Sequence, residues 1–156
     1  RIIFDLRPMS LDDLGLVPTL QRYVATFIEE TGIDVDLEVY DLDKNAVDKV
    51  IEVAVFRIAQ EALNNIKKHS KASKANIKIY IKDGFLNGSI SDNGIGFDKQ
   101  KVEEQKRANI CEGGFGIYGM KQRAELLKGK LVVRSEEGKG TTVLVQIPIN
   151  AIEGEG

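Results

Sequence analysis

The chain has 156 residues, 42% of them apolar and 29% charged, with a formal net charge of −2. That describes one soluble globular domain with room for a real core, and it argues against a surface built for nucleic acid or anionic lipid. The single cysteine, Cys111, excludes an internal disulfide framework and fits a reducing compartment, while no apolar run nears the ~20 residues of a membrane helix and no signal peptide is visible.

Arg1 to Pro8 reads as the tail of an upstream element and a linker, so the chain is expected to be a piece of something longer. Ser10, with Asp13 three residues on, forms a box-like cap for a short turn. Pro18 suits the first turn of a helix whose Leu20, Val24, Phe27 and Ile28 recur at helical spacing up to Gly32. Ile33, Val35, Leu37 and Val39 then alternate with acidic residues, as in a half-buried strand. A polar connection over 41–45 leads into a long helix with Val47, Val50, Ile51, Ala54, Ile58, Ala62 and Ile66 on one stripe, ending near Ser70.

Ile77, Ile79 and Ile81 alternate in the next strand, Asp83-Gly84 turns, and Phe85 to Asp92 returns as its hairpin partner. Residues 98–113 are charged, with few apolar anchors, as in a functional lid or a disordered loop. Gly116 to Leu127 is helical, with Ile117, Met120, Ala124 and Leu127 inward and Gly129 as its stop. Strands around Leu131–Val133 and Val143–Val145 are joined by Glu136–Gly140, and 151–156 is a polar tail expected to be disordered. The sum is an α+β fold: a two-layer sandwich with about three helices on one face of a mixed, largely antiparallel five-stranded sheet.

Five places carry chemistry. Asp92-Asn93-Gly94-Ile95-Gly96-Phe97 puts a carboxylate at a strand's end beside two glycines, which is either ordinary turn chemistry or a backbone folded close around a ligand. Glu61 and Asn65 share one helix face near the edge of the core, either as a solvated pair or as hard-oxygen donors of the kind Mg²⁺ takes alongside nucleotide phosphates. Lys67, Lys68 and His69 complement the negative end of the helix dipole; Lys68 serves equally as a phosphate contact, and the structural reading is preferred for His69. Gly114-Phe115-Gly116-Ile117-Tyr118-Gly119 matches a dinucleotide fingerprint but follows a polar segment instead of a strand. It therefore suits phosphate at a helix N-terminus without a Rossmann fold. Gly138-Lys139-Gly140-Thr141-Thr142 is either a hairpin turn or the source of a hydroxyl, from Thr142 or Thr141, for a ligand. Cys111 is incidental.

In order, Glu61-x-x-x-Asn65, Asp92-x-Gly94-x-Gly96, Gly114-x-Gly116-x-x-Gly119-Met120 and Gly138-x-Gly140-Thr141 resemble the N, G1 and G2 boxes of the GHKL, or Bergerat-fold, ATP-binding domain. Within that superfamily FRIAQEALNNIKKHS, SDNGIGFD, GGFGIYGMKQRAELLKGKL, SEEGKGTTVLVQIPI and LRPMSLDDLGLVPTL are similar to sensor histidine kinases of the DegS, DesK and NarX type. The resemblance covers about residues 5–149. It implies a linker over 1–10 from a missing helical dimerisation and phosphoacceptor domain, an ATP-binding catalytic domain over 11–150, and the tail.

It also implies site roles. Asp92 accepts from the adenine amine, Gly94 and Gly96 let the chain pass the base and hinge the lid, and Asn65 ligates Mg²⁺ with the phosphates. Lys68 contacts phosphate. Gly114, Gly116, Gly119 and Met120 belong to the lid and its phosphate-facing helix start, and Thr142 touches the nucleotide. Glu61 orients or deprotonates the acceptor imidazole. The implied activity is γ-phosphoryl transfer from Mg-ATP to a histidine on the helical domain and thence to an aspartate of a LuxR/NarL-type response regulator, in the cytoplasm. The fragment is expected to be monomeric and the full-length kinase homodimeric; the only histidine, His69, lies inside the N-box-like stretch, so the acceptor is expected on the missing helical domain. A stand-alone GHKL serine kinase that holds a sigma factor is the alternative, against which FDLRPMSLDDLGL counts. A chaperone- or repair-type ATPase would need a lysine from a following transducer domain, and a degenerate binding module is disfavoured by intact Glu61, Asn65, Asp92 and Gly94.

Overall fold

The computed structural model describes residues 11, 14–42, 47–98 and 116–149. In chain order these form α1 (Leu16–Thr31), β1 (Asp34–Tyr40), α2 (Lys49–Asn65), a π turn (Ile66–Ser70), β2 (Lys74–Lys82), β3 (Phe85–Asp92), α3 (Ile117–Leu126), β4 (Lys130–Glu136) and β5 (Gly140–Pro148). The sheet order is β1-β2-β3-β5-β4, with β1 and β2 parallel and the other three pairs antiparallel. This is the mixed two-layer α+β sandwich that the periodicities imply. The 1–10 linker with its Ser10–Asp13 cap, most of the lid segment, Gly114 and the tail lie outside the described residues.

Strand alternation builds the core. Val35 of β1, Ala75, Ile77 and Ile79 of β2, Leu86 and Ile90 of β3, Leu131 and Val133 of β4, and Val143, Val145 and Ile147 of β5 are buried on one face. Against them pack Leu20, Val24 and Phe27 of α1, Ile51, Val55, Ile58 and Ala62 of α2, and Met120 and Ala124 of α3. Tyr23 and Phe56 join α1 to α2 edge to face, with ring centroids 5.7 Å apart.

α2 is started by Asp48, whose side chain accepts from the Val50 N–H at 3.3 Å, a cap of the kind that contributes about 1 kcal/mol. Val50 itself is half exposed, unlike the rest of its expected stripe. It sits roughly 100° round the helix from Ile51, outside the arc that meets the sheet. The helix ends at Ser70 as expected, but its last turn is widened into a π turn. Ile66 and Ser70 face inward there, and Lys67, Lys68 and His69 are exposed. The Ser70 hydroxyl donates to the Ile66 carbonyl at 2.7 Å and accepts from the Ala72 N–H at 3.0 Å, closing the helix end. Such turns recur at functional sites.

Candidate functional site

A cavity of about 320 Å³ opens where α2 and the π turn meet the ends of β3, β4 and β5 and the start of α3. Ala62, Ile66, Ile90, Ile95, Phe97, Ile117, Met120, Val133 and Val143 give it apolar walls, while Asn65, His69, Ser70, Asp92, Asp98, Glu137 and Thr141 supply the polar groups. An apolar pocket with a few convergent polar groups is the usual shape of a small-molecule site.

Asp92 ends β3 half buried at this cavity. Its Oδ1 accepts from the Gly94 N–H at 2.8 Å. Burial raises its pKa above the ordinary 3.8, against the smaller lowering effect of the Gly94 and Thr141 backbone N–H groups. The carboxylate is thus held as an acceptor that water satisfies poorly, which suits a ligand that brings its own donor.

The glycines after Asp92 are explained by what crosses them. A Cβ at Gly94 would collide with the Ser70 carbonyl, which accepts from the Ile95 N–H at 2.7 Å. A Cβ at Gly96, whose φ is +65°, would collide with the Glu136 carbonyl. The loop is therefore threaded between the π turn and the β4–β5 turn, and both contacts are backbone to backbone. Asn93 fixes a third side. Its Oδ1 accepts from the Ser73 and Lys74 N–H groups at 3.0 and 3.1 Å, and its Nδ2 donates to Ser73 Oγ at 3.0 Å.

On the opposite wall, Ser135 Oγ accepts from the Phe97 N–H at 2.8 Å and lies 2.7 Å from Thr141 Oγ1. Thr141, not Thr142, lines the cavity. The reason is the period of two in β5: Thr141 shares the inward face of Val143, Val145 and Ile147, which puts Thr142 on the other side. That alternation is present in the sequence and was sufficient to choose between the two threonines.

The remaining candidates fall at graded distances from the cavity. Asn65, Asp92, Gly96 and Met120 line it, and Gly94 is buried beneath its loop. Glu61 is half buried and outside the lining; its carboxylate lies against Gly116, where a Cβ would come within 2.5 Å of Oε2. That places it beside the start of α3. Gly119 is exposed in open space. Lys68 is exposed and does not line the cavity, because the π turn presents His69 and Ser70 there instead. Asn93, Ser70 and Ser135 escaped the sequence reading, since their roles depend on backbone groups brought close only by the fold.

Residues 50–151 match the model of a family described as histidine kinase-, DNA gyrase B- and HSP90-like ATPase. The chain belongs to this family. Among curated relatives, it is 46% identical over 153 residues to the signal transduction histidine-protein kinase/phosphatase DegS of Brevibacillus brevis, covering 98% of this chain and 37% of that protein. It is 40% identical to DegS of Bacillus subtilis (92% and 37%) and 36% identical to the sensor histidine kinase LiaS of the same organism (95% and 38%). The chain thus spans little more than a third of the length of these relatives. They are sensor histidine kinases, which does not favour the stand-alone serine kinase alternative. The ATPase-family fold is shared with a blue-light activated histidine kinase of Erythrobacter litoralis (TM-score 0.67, 20% identity, 89% of this chain and 43% of that one). It is shared too with the catalytic domain of histidine kinase ThkA (TM-score 0.62, 17% identity, 86% and 91%). Among the described residues no helix is long and apolar enough to cross a membrane.

Proposed function

We propose that residues 11–150 are the ATP-binding catalytic domain of a sensor histidine kinase, which transfers the γ-phosphoryl group of ATP to a histidine on a separate helical domain. The observation that carries this reading is the half-buried Asp92 carboxylate facing an apolar cavity of about 320 Å³ in a chain of this ATPase family. A carboxylate in that setting accepts from the exocyclic amine of adenine, and the apolar walls, Met120 among them, take the face of the base.

Among the described residues no group of three or more His, Cys, Asp or Glu side chains could hold a metal. The Asn65 amide oxygen in the lining would suit Mg²⁺, which needs no such cluster: it takes one or two protein oxygens and completes its shell with phosphates and water. Mg²⁺ would neutralise phosphate charge when bound. The N–H groups at the start of α3 around Gly116 and Gly119 suit phosphate, with Gly114 and Lys68 as further phosphate contacts expected from the resemblance. Glu61, outside the cavity and beside Gly116, is the candidate general base. As the incoming imidazole nitrogen bonds to the γ-phosphorus, the bond to the ADP oxygen breaks and the imidazole proton passes to Glu61. The helical domain, a homodimeric parent with this fragment monomeric, a LuxR/NarL-type response regulator as the next acceptor and a cytoplasmic setting complete the proposal.

The test mixes this fragment with the helical acceptor segment of its parent protein and γ-labelled ATP. Acid-labile phosphohistidine on the acceptor, lost in Glu61→Gln, is the expected result. Acid-stable phosphoserine on a protein partner would establish the serine kinase instead.

A further inference from the structure

The start of α3 lacks the usual local complement to its positive end. Gly116 stands at the N-cap with no side-chain hydrogen bond, and the first turn of the helix has no acidic residue. The leading N–H groups of a helix have no partner within it, and together with the dipole they favour a negative charge there. The anion that comes to Gly116 belongs to another helix. A Cβ built on Gly116 would lie 2.5 Å from Glu61 Oε2 and 2.8 Å from Glu61 Cδ, so the carboxylate at the end of α2 rests against this glycine.

The residues on both sides agree with this contact. Gly116 has φ +60°, a conformation that side chains rarely adopt, and a side chain there would also strike the carboxylate. On α2, Asn65 lies one turn beyond Glu61 and lines the cavity, whereas Glu61 stays outside the lining. Glu61 is thus docked on the start of α3, the same helix end that suits phosphate.

We propose that Glu61 is the internal anion that caps α3, and that nucleotide phosphate must displace its carboxylate to take that place. The inference rests on the nucleotide reading above and adds a control on its phosphate end. A carboxylate and a phosphate at one helix end repel each other, so each weakens the hold of the other. The contact therefore holds the start of α3 before nucleotide arrives, and the outer phosphates release the candidate general base as they bind. A nucleotide without those phosphates leaves Glu61 where it is.

The test compares the parent with Glu61→Gln, which keeps the shape of the side chain and removes its charge. Urea unfolding without nucleotide is expected to show Glu61→Gln less stable than the parent, since α3 loses its anion. Calorimetric titration at fixed Mg²⁺ is expected to show Glu61→Gln binding ATP about two- to fivefold more tightly and AMP with unchanged affinity. A merely solvated Glu61 would not move stability and ATP affinity in opposite directions. Glu61→Gln as stable as the parent, or with equal or weaker ATP affinity, overturns the inference, and so does an equal gain for AMP. A parent that binds neither nucleotide overturns the nucleotide reading itself. Should Glu61→Gln not fold, the carbon NMR signal of the Glu61 carboxyl in the parent gives the answer. A shift with ATP that AMP does not produce supports displacement, and no such shift overturns it.

Discussion

At the scale of single residues, Asp92 carries a stability cost at the wall of the cavity. Because burial raises its pKa above 3.8, the native state holds this proton more tightly than the unfolded chain does. Its contribution to stability is therefore highest with the proton on, falls as pH rises through the window from the unfolded to the native pKa, and stays low at neutral pH. Asp92→Asn carries no such titration. Urea unfolding of both proteins is expected to show the parent losing stability relative to Asp92→Asn as the pH rises above the ordinary carboxylate pKa of 3.8. A difference that is flat, or of the opposite sign, would mean that the carboxylate is not desolvated in the native state. Gly96 makes the complementary point about backbone. Its φ of +65° and the carbonyl of Glu136 against its Cα leave no place for a methyl group. Gly96→Ala is expected to cost about 2 kcal/mol or more in a urea titration, more than an ordinary loop substitution.

At the scale of elements, the site is a junction of three turns. The loop after β3 is tied to the π turn through the Ser70 carbonyl, to the start of β2 through Asn93, and to the β4–β5 turn through Ser135. Asn93→Ala removes three side-chain hydrogen bonds on a partly solvated surface, for an expected loss of about 1–2 kcal/mol. Nucleotide affinity is expected to fall with it, since Asn93 adjoins Asp92 and steadies the loop that holds it. Unchanged calorimetric affinity in Asn93→Ala would show that the loop keeps its shape without this tie. The elements themselves were legible from periodicity: α1, α2 and the β2–β3 hairpin stand where the apolar spacing puts them. What periodicity does not encode is the widening of the last turn after Asn65. In that turn the Ser70 hydroxyl donates to the Ile66 carbonyl, and His69 and Ser70 line the cavity while Lys68 is exposed outside the lining.

At the scale of the whole molecule, the sheet order β1-β2-β3-β5-β4 brings together segments that are remote in sequence. Asn65 on α2, Asp92 after β3, Met120 on α3 and Thr141 on β5 meet in one cavity. The ordered motifs point to Asn65, Asp92 and Met120 in the sequence, and the fold brings these three to the cavity. The resemblance implies Thr142, while strand alternation brings its neighbour Thr141 to the cavity. Glu61 lies outside the cavity, against Gly116 at the start of α3. Asn65→Ala is expected to leave most metal-free ADP binding and remove the Mg²⁺ enhancement, measured by titration with and without the cation; equal enhancement in mutant and parent would remove Asn65 from the metal shell. The central claim, that the Asp92 cavity holds adenine, is tested most directly by calorimetric titration of Mg-ADP into the parent and Asp92→Ala. Saturable binding in the parent and a loss of about 10- to 100-fold or more in the mutant is the predicted result. Equal affinity in the two proteins, with both folded, would contradict it.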